Sequence, residues 1–118
     1  MTAPTIPRAT EAQCQAAIID FATRLGYLVH AERPAQTGRG RWLTNIQGHT
    51  GWPDLAIVHP YHRSLWLVEL KRSPNKVEPA QTRWLDALGQ FDDGWIRVRT
   101  VWVPEGMTAF LAELQETA

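Results

Sequence analysis

The 118-residue chain has little of what marks secreted or membrane proteins. Cys14 is its one cysteine, so an intramolecular disulfide is excluded. No apolar run approaches the roughly 18 residues that a membrane-spanning helix needs, and no membrane association is expected. The N-terminus has no hydrophobic signal core, so we expect a disordered lead over residues 1–9 and a cytoplasmic protein.

The charges also have no dominant sign, because 12 basic and 12 acidic side chains give a formal net charge of zero. Without a global positive field, any nucleic-acid partner must be bound by a local patch. A hydrophobic content of 44% is enough for the core of one domain, which we predict over residues 10–118.

Two features are abundant instead. Six tryptophans can anchor the core, form a subunit interface or stack on nucleobases, and core packing is the ordinary role. Residues 32–50 form a polar, glycine-rich stretch that predicts a long loop or loose hairpin, with Arg33, Arg39 and Arg41 close to Trp42. Such a stretch suits phosphate contact and base stacking, and it equally suits a solvated flexible loop.

The centre of the sequence is residues 51–71, where two short apolar runs are separated by a polar turn at 59–64. This pattern predicts paired strands whose ionisable residues, Asp54, Glu69 and Lys71, lie only at the ends. Because strand side chains alternate, Glu69 and Lys71 share one face about 6.6 Å apart, while Leu70 faces the opposite, apolar side.

A helix is predicted upstream of this pair, from the capping box of Thr10 and Gln13 to about Leu25. Its core-facing stripe consists of Cys14, Ile18, Phe21 and Leu25. Glu11 lies on the same stripe one turn before Cys14. An acid in the first turn complements the helix dipole and can remain solvated, or it can belong to a site.

The remaining elements are a strand at 27–31, a helix from Pro79 to Leu88 ended by Gly89, a strand at 95–103 and a closing helix at 107–115. In the helix from Pro79 to Leu88, the apolar stripe consists of Ala80, Leu88 and either Trp84 or Leu85. In the last strand, Ile96 and Val98 alternate with Arg97 and Arg99. The order of elements predicts an α/β fold, a mixed sheet with helices on its faces.

Asp54 and Glu69 have the chemistry that phosphodiester hydrolysis requires. The reaction needs a hard divalent cation, and one or two carboxylates commonly hold Mg²⁺. The backbone carbonyl of Leu70 can add a third oxygen, Lys71 can orient the attacking water, and Glu11 can reach the metal from the other side. Each part alone is common in solvated turns and strand edges, whereas their order along the chain is specific.

This combination resembles the VRR-NUC family of the PD-(D/E)XK nuclease superfamily. The resemblance rests on Glu11, Gly51-Trp52-Pro53-Asp54, Glu69-Leu70-Lys71, Pro79-Ala80-Gln81 and the strand around 98–103. It implies a restriction-endonuclease-like αβββαβ core with an added C-terminal helix. By the same resemblance, Asp54 and Glu69 bind Mg²⁺ or Mn²⁺, Lys71 is catalytic, and Glu11 and Gln81 complete the site.

The implied activity is that of a phage-like, structure-specific endonuclease of replication, recombination or repair. It acts on branched DNA such as Holliday junctions, commonly as a homodimer, and needs no small-molecule cofactor. The expected DNA-contacting cations are Arg33, Arg39, Arg41, Arg72, Lys76, Arg97 and Arg99.

Two other interpretations remain. One is a non-catalytic nucleic-acid-binding or scaffold protein that keeps the nuclease fold. The other is a histidine-based hydrolase or metal site, for which the spacing of His30, His49, His59 and His62 matches no ligand pattern.

Overall fold

The computed structural model of the chain describes residues 9–31, 35–36, 42–43 and 46–118, with the backbone alone at 35–36 and 42–43. In chain order the elements are α1 (Glu11–Arg24), β1 (Leu28–Ala31), β2 (Ala35–Gln36), β3 (Trp42–Leu43), β4 (Leu55–His59), β5 (Ser64–Lys71), α2 (Pro79–Gly89), β6 (Ile96–Trp102) and α3 (Met107–Glu116). The predicted order of major elements is confirmed. Gly89 is the last residue of α2 rather than the first beyond it.

A four-stranded mixed sheet in the order β1-β4-β5-β6 forms the centre of the fold. The predicted hairpin is present, since β4 and β5 pair antiparallel from Leu55 opposite Val68 to His59 opposite Ser64. β1 is antiparallel to β4, and β6 is parallel to β5. Within the predicted long loop, β2 and β3 form a short antiparallel ribbon. Arg33, Arg39 and Arg41 lie outside the described residues.

The hydrophobic core lies between one face of the sheet and helices α1 and α3. Trp66 of β5 is fully buried and meets Phe110 of α3 edge to face, with ring centroids 5.7 Å apart. The Tyr27 hydroxyl donates a 2.8 Å hydrogen bond to the Leu114 carbonyl, which ties the start of the sheet to α3. The sheet therefore holds β5, the strand of Glu69 and Lys71, rigidly in its interior.

The capping box predicted at the start of α1 is present. Gln13 N donates to Thr10 Oγ1 at 3.1 Å, and Thr10 N donates to Gln13 Oε1 at 2.9 Å. The fully buried row is Cys14, Ile18 and Ala22, with Phe21 partly buried beside it. Ala9, ahead of the helix, also packs partly buried against the core. The cap thus fixes where α1 begins and which face its first turn presents.

The opposite face of the sheet is covered less completely, because α2 has no fully buried residue. Gln81, Trp84, Leu85 and Leu88 are half-buried, and Ala80, which the predicted stripe included, is exposed. The partial cover leaves a groove beside α2.

No helix among the described residues is long and apolar enough to cross a membrane.

Candidate active site

Asp54 lies directly before β4, where the ladder between β4 and β5 stops. The last ladder pair at this end is Leu55 with Val68, so β4 supplies no backbone partner for the Leu70 amide. The Asp54 side chain takes this place, since Leu70 N donates to Asp54 Oδ2 at 2.7 Å. The amide and carbonyl of one strand residue point to the same side, so the Leu70 carbonyl also faces Asp54. A carboxylate and a carbonyl thus meet at the strand end.

Glu69 is a buried acid, with only 1% of its surface exposed. Gln81 Nε2 donates to Glu69 Oε1 at 2.8 Å, whereas the buried Oε2 has no hydrogen-bond partner among the described residues. Burial and the nearby Asp54 carboxylate raise the pKa of Glu69 to about 8, against a smaller opposing effect of Lys71. An unpaired buried oxygen beside a second acid requires a proton or a cation to offset its charge.

The amide of Gln81 is held in one orientation from two sides. Gln81 Oε1 accepts a 2.8 Å hydrogen bond from the backbone N of Glu78, the residue that precedes α2. The NH₂ group is therefore the end that faces Glu69. The start of α2 consequently sets the position of the Glu69 carboxylate.

Glu11 approaches the same acids from the first turn of α1. It is half-buried, and burial followed by the charge of Asp54 raises its pKa. Lys71 and a hydrogen bond from the backbone amide of Arg72 act in the opposite direction. The structure therefore brings Glu11 close to Asp54 and Lys71, instead of leaving it solvated at the helix terminus.

Gly51 explains how the Asp54 segment reaches the start of α2. Its φ is +102°, and a Cβ there would lie 2.5 Å from the backbone C and O of Ala80. Only glycine permits this approach, because both the left-handed conformation and the space exclude a side chain. Asp54 and Gln81 are thereby held on neighbouring segments through backbone contact.

The five residues predicted to form the site, Glu11, Asp54, Glu69, Lys71 and Gln81, are thus linked by hydrogen bonds and mutual electrostatic effects. A sequence model of the VRR-NUC domain matches residues 9–101, a span that includes all five. The chain belongs to the VRR-NUC family. It is also similar to a solved structure described as a VRR_NUC domain, with 23% identity, a TM-score of 0.61, and coverage of 88% of this chain and 97% of that chain. A search of curated proteins gave no match.

VRR-NUC is a nuclease-type family, so this chain has the fold of a nuclease domain, and DNA is the substrate class that such a domain implies. At 23% identity the structural likeness shows the fold alone. The mixed α/β architecture and the family expected from the sequence are confirmed.

The site of this VRR-NUC domain has the donors that a hard divalent cation prefers: the Asp54 and Glu69 carboxylates and the Leu70 carbonyl. The unpaired Oε2 of Glu69 fits such an ion. Among the described residues no three His, Cys, Asp or Glu side chains are grouped closely enough to hold a metal. The described carboxylates therefore form no tight set of three ligands, and Mg²⁺ is usually held by only one or two carboxylates together with its waters.

The predicted DNA-contacting cations fall into different places. Arg72 follows Lys71 directly, and Lys76 is exposed in the connection to α2. Arg97 and Arg99 lie opposite Trp66 and Val68, on the sheet face away from Glu69. Their guanidinium carbons lie 4.8 and 5.5 Å from the Trp66 ring centroid, and Arg99 pairs with Asp92 and Glu113. DNA contact by these residues stays a prediction.

The histidines are not assembled around one point in the described part of the VRR-NUC domain. His59 and His62 stack with ring centroids 4.2 Å apart, and His59 Nδ1 accepts hydrogen bonds from the backbone of Tyr61 and His62. Burial lowers the pKa of His59, and the charge of the neighbouring His62 lowers it further. This ring therefore serves the turn between β4 and β5.

Sequence reasoning missed two contributors beside the site. Gly51 belongs to the segment that resembles the family, and a glycine just before the Pro53-Asp54 pair is also a signal for a close backbone approach. Arg83 was given no role, yet it is exposed on α2 two residues beyond Gln81, on a different side of the helix.

Proposed function

We propose that this chain is a metal-dependent DNA endonuclease that hydrolyses phosphodiester bonds in branched DNA, including Holliday-type four-way junctions, during replication, recombination or repair. The buried and unpaired Oε2 of Glu69 beside Asp54 carries the hydrolytic part of this proposal. Two carboxylates at low dielectric repel each other, so the pair favours a cation between them.

The proposed ligands are the Asp54 and Glu69 carboxylates and the Leu70 carbonyl. Held there, Mg²⁺ or Mn²⁺ would neutralise phosphoryl oxygens and lower the pKa of the attacking water. Lys71 lies on the Glu69 face of β5, where its ammonium orients this water and offsets the charge that develops on phosphorus.

Gln81 and Glu11 act on these groups as positioning residues. Gln81 donates to Glu69 Oε1 and so leaves the other oxygen, Oε2, as the one that would bind a cation. Glu11 accepts the Arg72 amide and adds negative potential near Asp54 and Lys71.

Two considerations support the DNA substrate and the assembly. Arg72 follows Lys71 directly and is only half-buried, so a cation lies beside the proposed site. The zero net charge limits contact to local cations, which read backbone shape and are sensitive to salt. One site cuts one strand, so symmetric paired nicks need a two-fold dimer, and we propose a homodimer for that reason.

The test is a panel of four-way junction, flap, linear duplex and single-stranded DNA incubated with Mg²⁺, Mn²⁺ or chelator. Glu69→Gln keeps the size of the side chain and removes the charge. Asp20→Asn is the matched control, because Asp20 is an exposed acid on α1 paired with Arg24.

We expect the wild type and Asp20→Asn to cut a branched substrate in Mg²⁺ and not in chelator, and Glu69→Gln to bind it without cutting. Cleavage by folded Glu69→Gln at the wild-type rate would refute the role of Glu69. Binding by the wild type with no cutting of any substrate would favour the non-catalytic scaffold instead.

A further inference from the structure

A groove of about 450 Å³ lies between α2 and residues 48–50, on the side of the sheet that α2 covers incompletely. Its helical wall consists of Ala80, Arg83, Trp84 and Ala87. The volume falls within the range of small-molecule pockets. No residue of the five-membered candidate site is among its lining residues, so it is a separate feature.

Trp84 is fixed in place at this groove. Its indole Nε1 donates to the His49 carbonyl at 3.3 Å, and its ring meets Trp52 edge to face with centroids 5.1 Å apart. A tryptophan held in this way is a preformed stacking surface, because little side-chain freedom remains to be lost on binding.

The groove is next to the proposed catalytic centre. Ala80 and Trp84 flank Gln81 on the same helix, and Gln81 contacts Glu69. Trp84 is three residues beyond Gln81, a rise of about 4.5 Å along the helix. A strand whose phosphate lies at Glu69 would therefore carry its neighbouring nucleotide to the groove.

The lining has the chemistry that binds nucleotides. It combines an aromatic ring and small apolar side chains with Arg83, and it includes no acidic residue. Arg83 is exposed and forms no ion pair with any described residue, so its guanidinium is available to a phosphate. Aromatic surfaces beside a cation bind successive nucleotides by stacking and charge.

We propose that this groove takes one unstacked nucleobase of the DNA strand, adjacent to the phosphate that is cut, with Trp84 as the stacking surface and Arg83 on the backbone phosphate. The proposal rests on the proposed nuclease function and extends it to substrate choice. Unstacking a paired base costs free energy, whereas bases at a junction, flap or single-stranded end are already less constrained. The groove therefore selects DNA that is distorted or unpaired at this position.

The test measures binding in chelator, so that it does not depend on cleavage. Flap DNA is prepared with a single abasic site placed in turn at each position around the branch. For the wild type we expect one position at which loss of the base weakens binding about tenfold, the scale of one stacked base. Equal affinity for the abasic DNA at every position would overturn the proposal, and so would the absence of measurable binding.

Three variants identify the groove as the source of the base preference. Ala87→Phe fills the groove without removing a packed side chain, because Ala87 is exposed, and it should abolish the preference. Trp84→Ala should abolish it as well, while Trp84→Phe retains an aromatic face and should keep most of it. Trp95→Ala is the matched control, since Trp95 is 48% exposed and outside this groove.

Two outcomes separate this proposal from the one it extends. A preserved base preference in folded Ala87→Phe would overturn the groove even if cleavage in Mg²⁺ is normal. A base preference that is lost in Ala87→Phe and kept in Trp95→Ala would support the groove even if no substrate is cut in Mg²⁺.

Arg83→Gln distinguishes a phosphate from a base as the main ligand of Arg83. It should weaken binding of intact and abasic DNA equally. If Arg83→Gln removed the base preference and Ala87→Phe retained it, the role of the groove would be contradicted.

Discussion

Gln81 Nε2 donates a 2.8 Å hydrogen bond to Glu69 Oε1, while the other end of the same amide accepts one from Glu78 N. The second contact prevents the amide from flipping, so Glu69 always receives a donor. Gln81 is therefore an orienting group whose effect depends on its NH₂ end.

Gln81→Glu isolates this donor. A carboxylate still accepts from Glu78 N, so the start of α2 is retained, but Glu69 now faces a second acid. We expect cleavage to fall about 10- to 100-fold, the usual effect of losing a contact that orients a metal ligand. The rate of cleavage in Mg²⁺ checks this.

Gln13→Glu is the matched control, because Gln13 has the same capping position in α1 and is exposed. Its rate should equal that of the wild type. Equal rates for both variants would show that the donor from Gln81 has no catalytic importance.

The raised pKa of Glu69 predicts that stability in chelator depends on pH. The pKa is about 8 in the folded chain against an ordinary 4.5, so the folded state binds the proton more tightly than the unfolded chain. This stabilisation is complete below pH 4.5 and declines as the pH rises to about 8. The loss should be on the order of 3 kcal/mol, which thermal unfolding from pH 5 to 8 would detect.

Glu69→Gln should remove most of this decline, whereas Glu116→Gln, an exposed acid on α3, should leave it unchanged. Since a divalent cation competes with the proton, added Mg²⁺ should raise the wild-type Tm more at pH 8 than at pH 5. A wild-type profile parallel to that of Glu69→Gln would contradict the assigned environment of Glu69.

Asp54 accepts a hydrogen bond from the Leu70 amide and is a proposed metal ligand, and Asp54→Asn and Asp54→Ala distinguish these two roles. Asparagine can still accept from the Leu70 amide, whereas alanine leaves that amide without the partner it has now. We expect Asp54→Ala to lose about 1–3 kcal/mol of unfolding free energy and Asp54→Asn clearly less. Both should lose metal-dependent cleavage, because neither supplies a carboxylate. Urea unfolding and cleavage assays measure the two effects, and an active Asp54→Asn would refute Asp54 as a ligand.

Gly51 and Gly48 provide a paired test of backbone placement. Both have positive φ, +102° and +89°, but a Cβ at Gly48 would contact nothing within 4 Å, whereas one at Gly51 meets Ala80. Gly48→Ala should therefore cost only the conformational term of about 1 kcal/mol. Gly51→Ala should cost clearly more and also lower cleavage, because it moves Asp54 away from Gln81. Similar urea midpoints for the two variants would contradict the close approach.

The hairpin and the residues on its Glu69 face were predictable because strand alternation and the Asp54, Glu69 and Lys71 positions are local features. The nearly complete burial of Glu69 was not, since it depends on how α2 packs across the sheet. The orientation of Gln81 likewise depends on a contact with another element.

The last strand shows where a short pattern misleads. Ile96 and Val98 alternate with two arginines, which suggests an apolar face toward the core. Continued to residues 101 and 103, however, the alternation places Arg97 and Arg99 on the same face as the buried Val101 and Val103. The longer reading would have directed both arginines toward Trp66, where the structure has them.

Helix α3 lies beyond the end of the family match but packs against the core of the domain. The family match ends at residue 101, after every member of the candidate site, whereas Phe110 and Leu114 lie beyond it and cover Trp66 and Tyr27. The family match thus includes the whole candidate site but not α3, although Phe110 and Leu114 belong to the hydrophobic core. Deleting the last twelve or so residues would spare every proposed ligand and still abolish activity, by opening the reverse side of the strand that holds Glu69 to water.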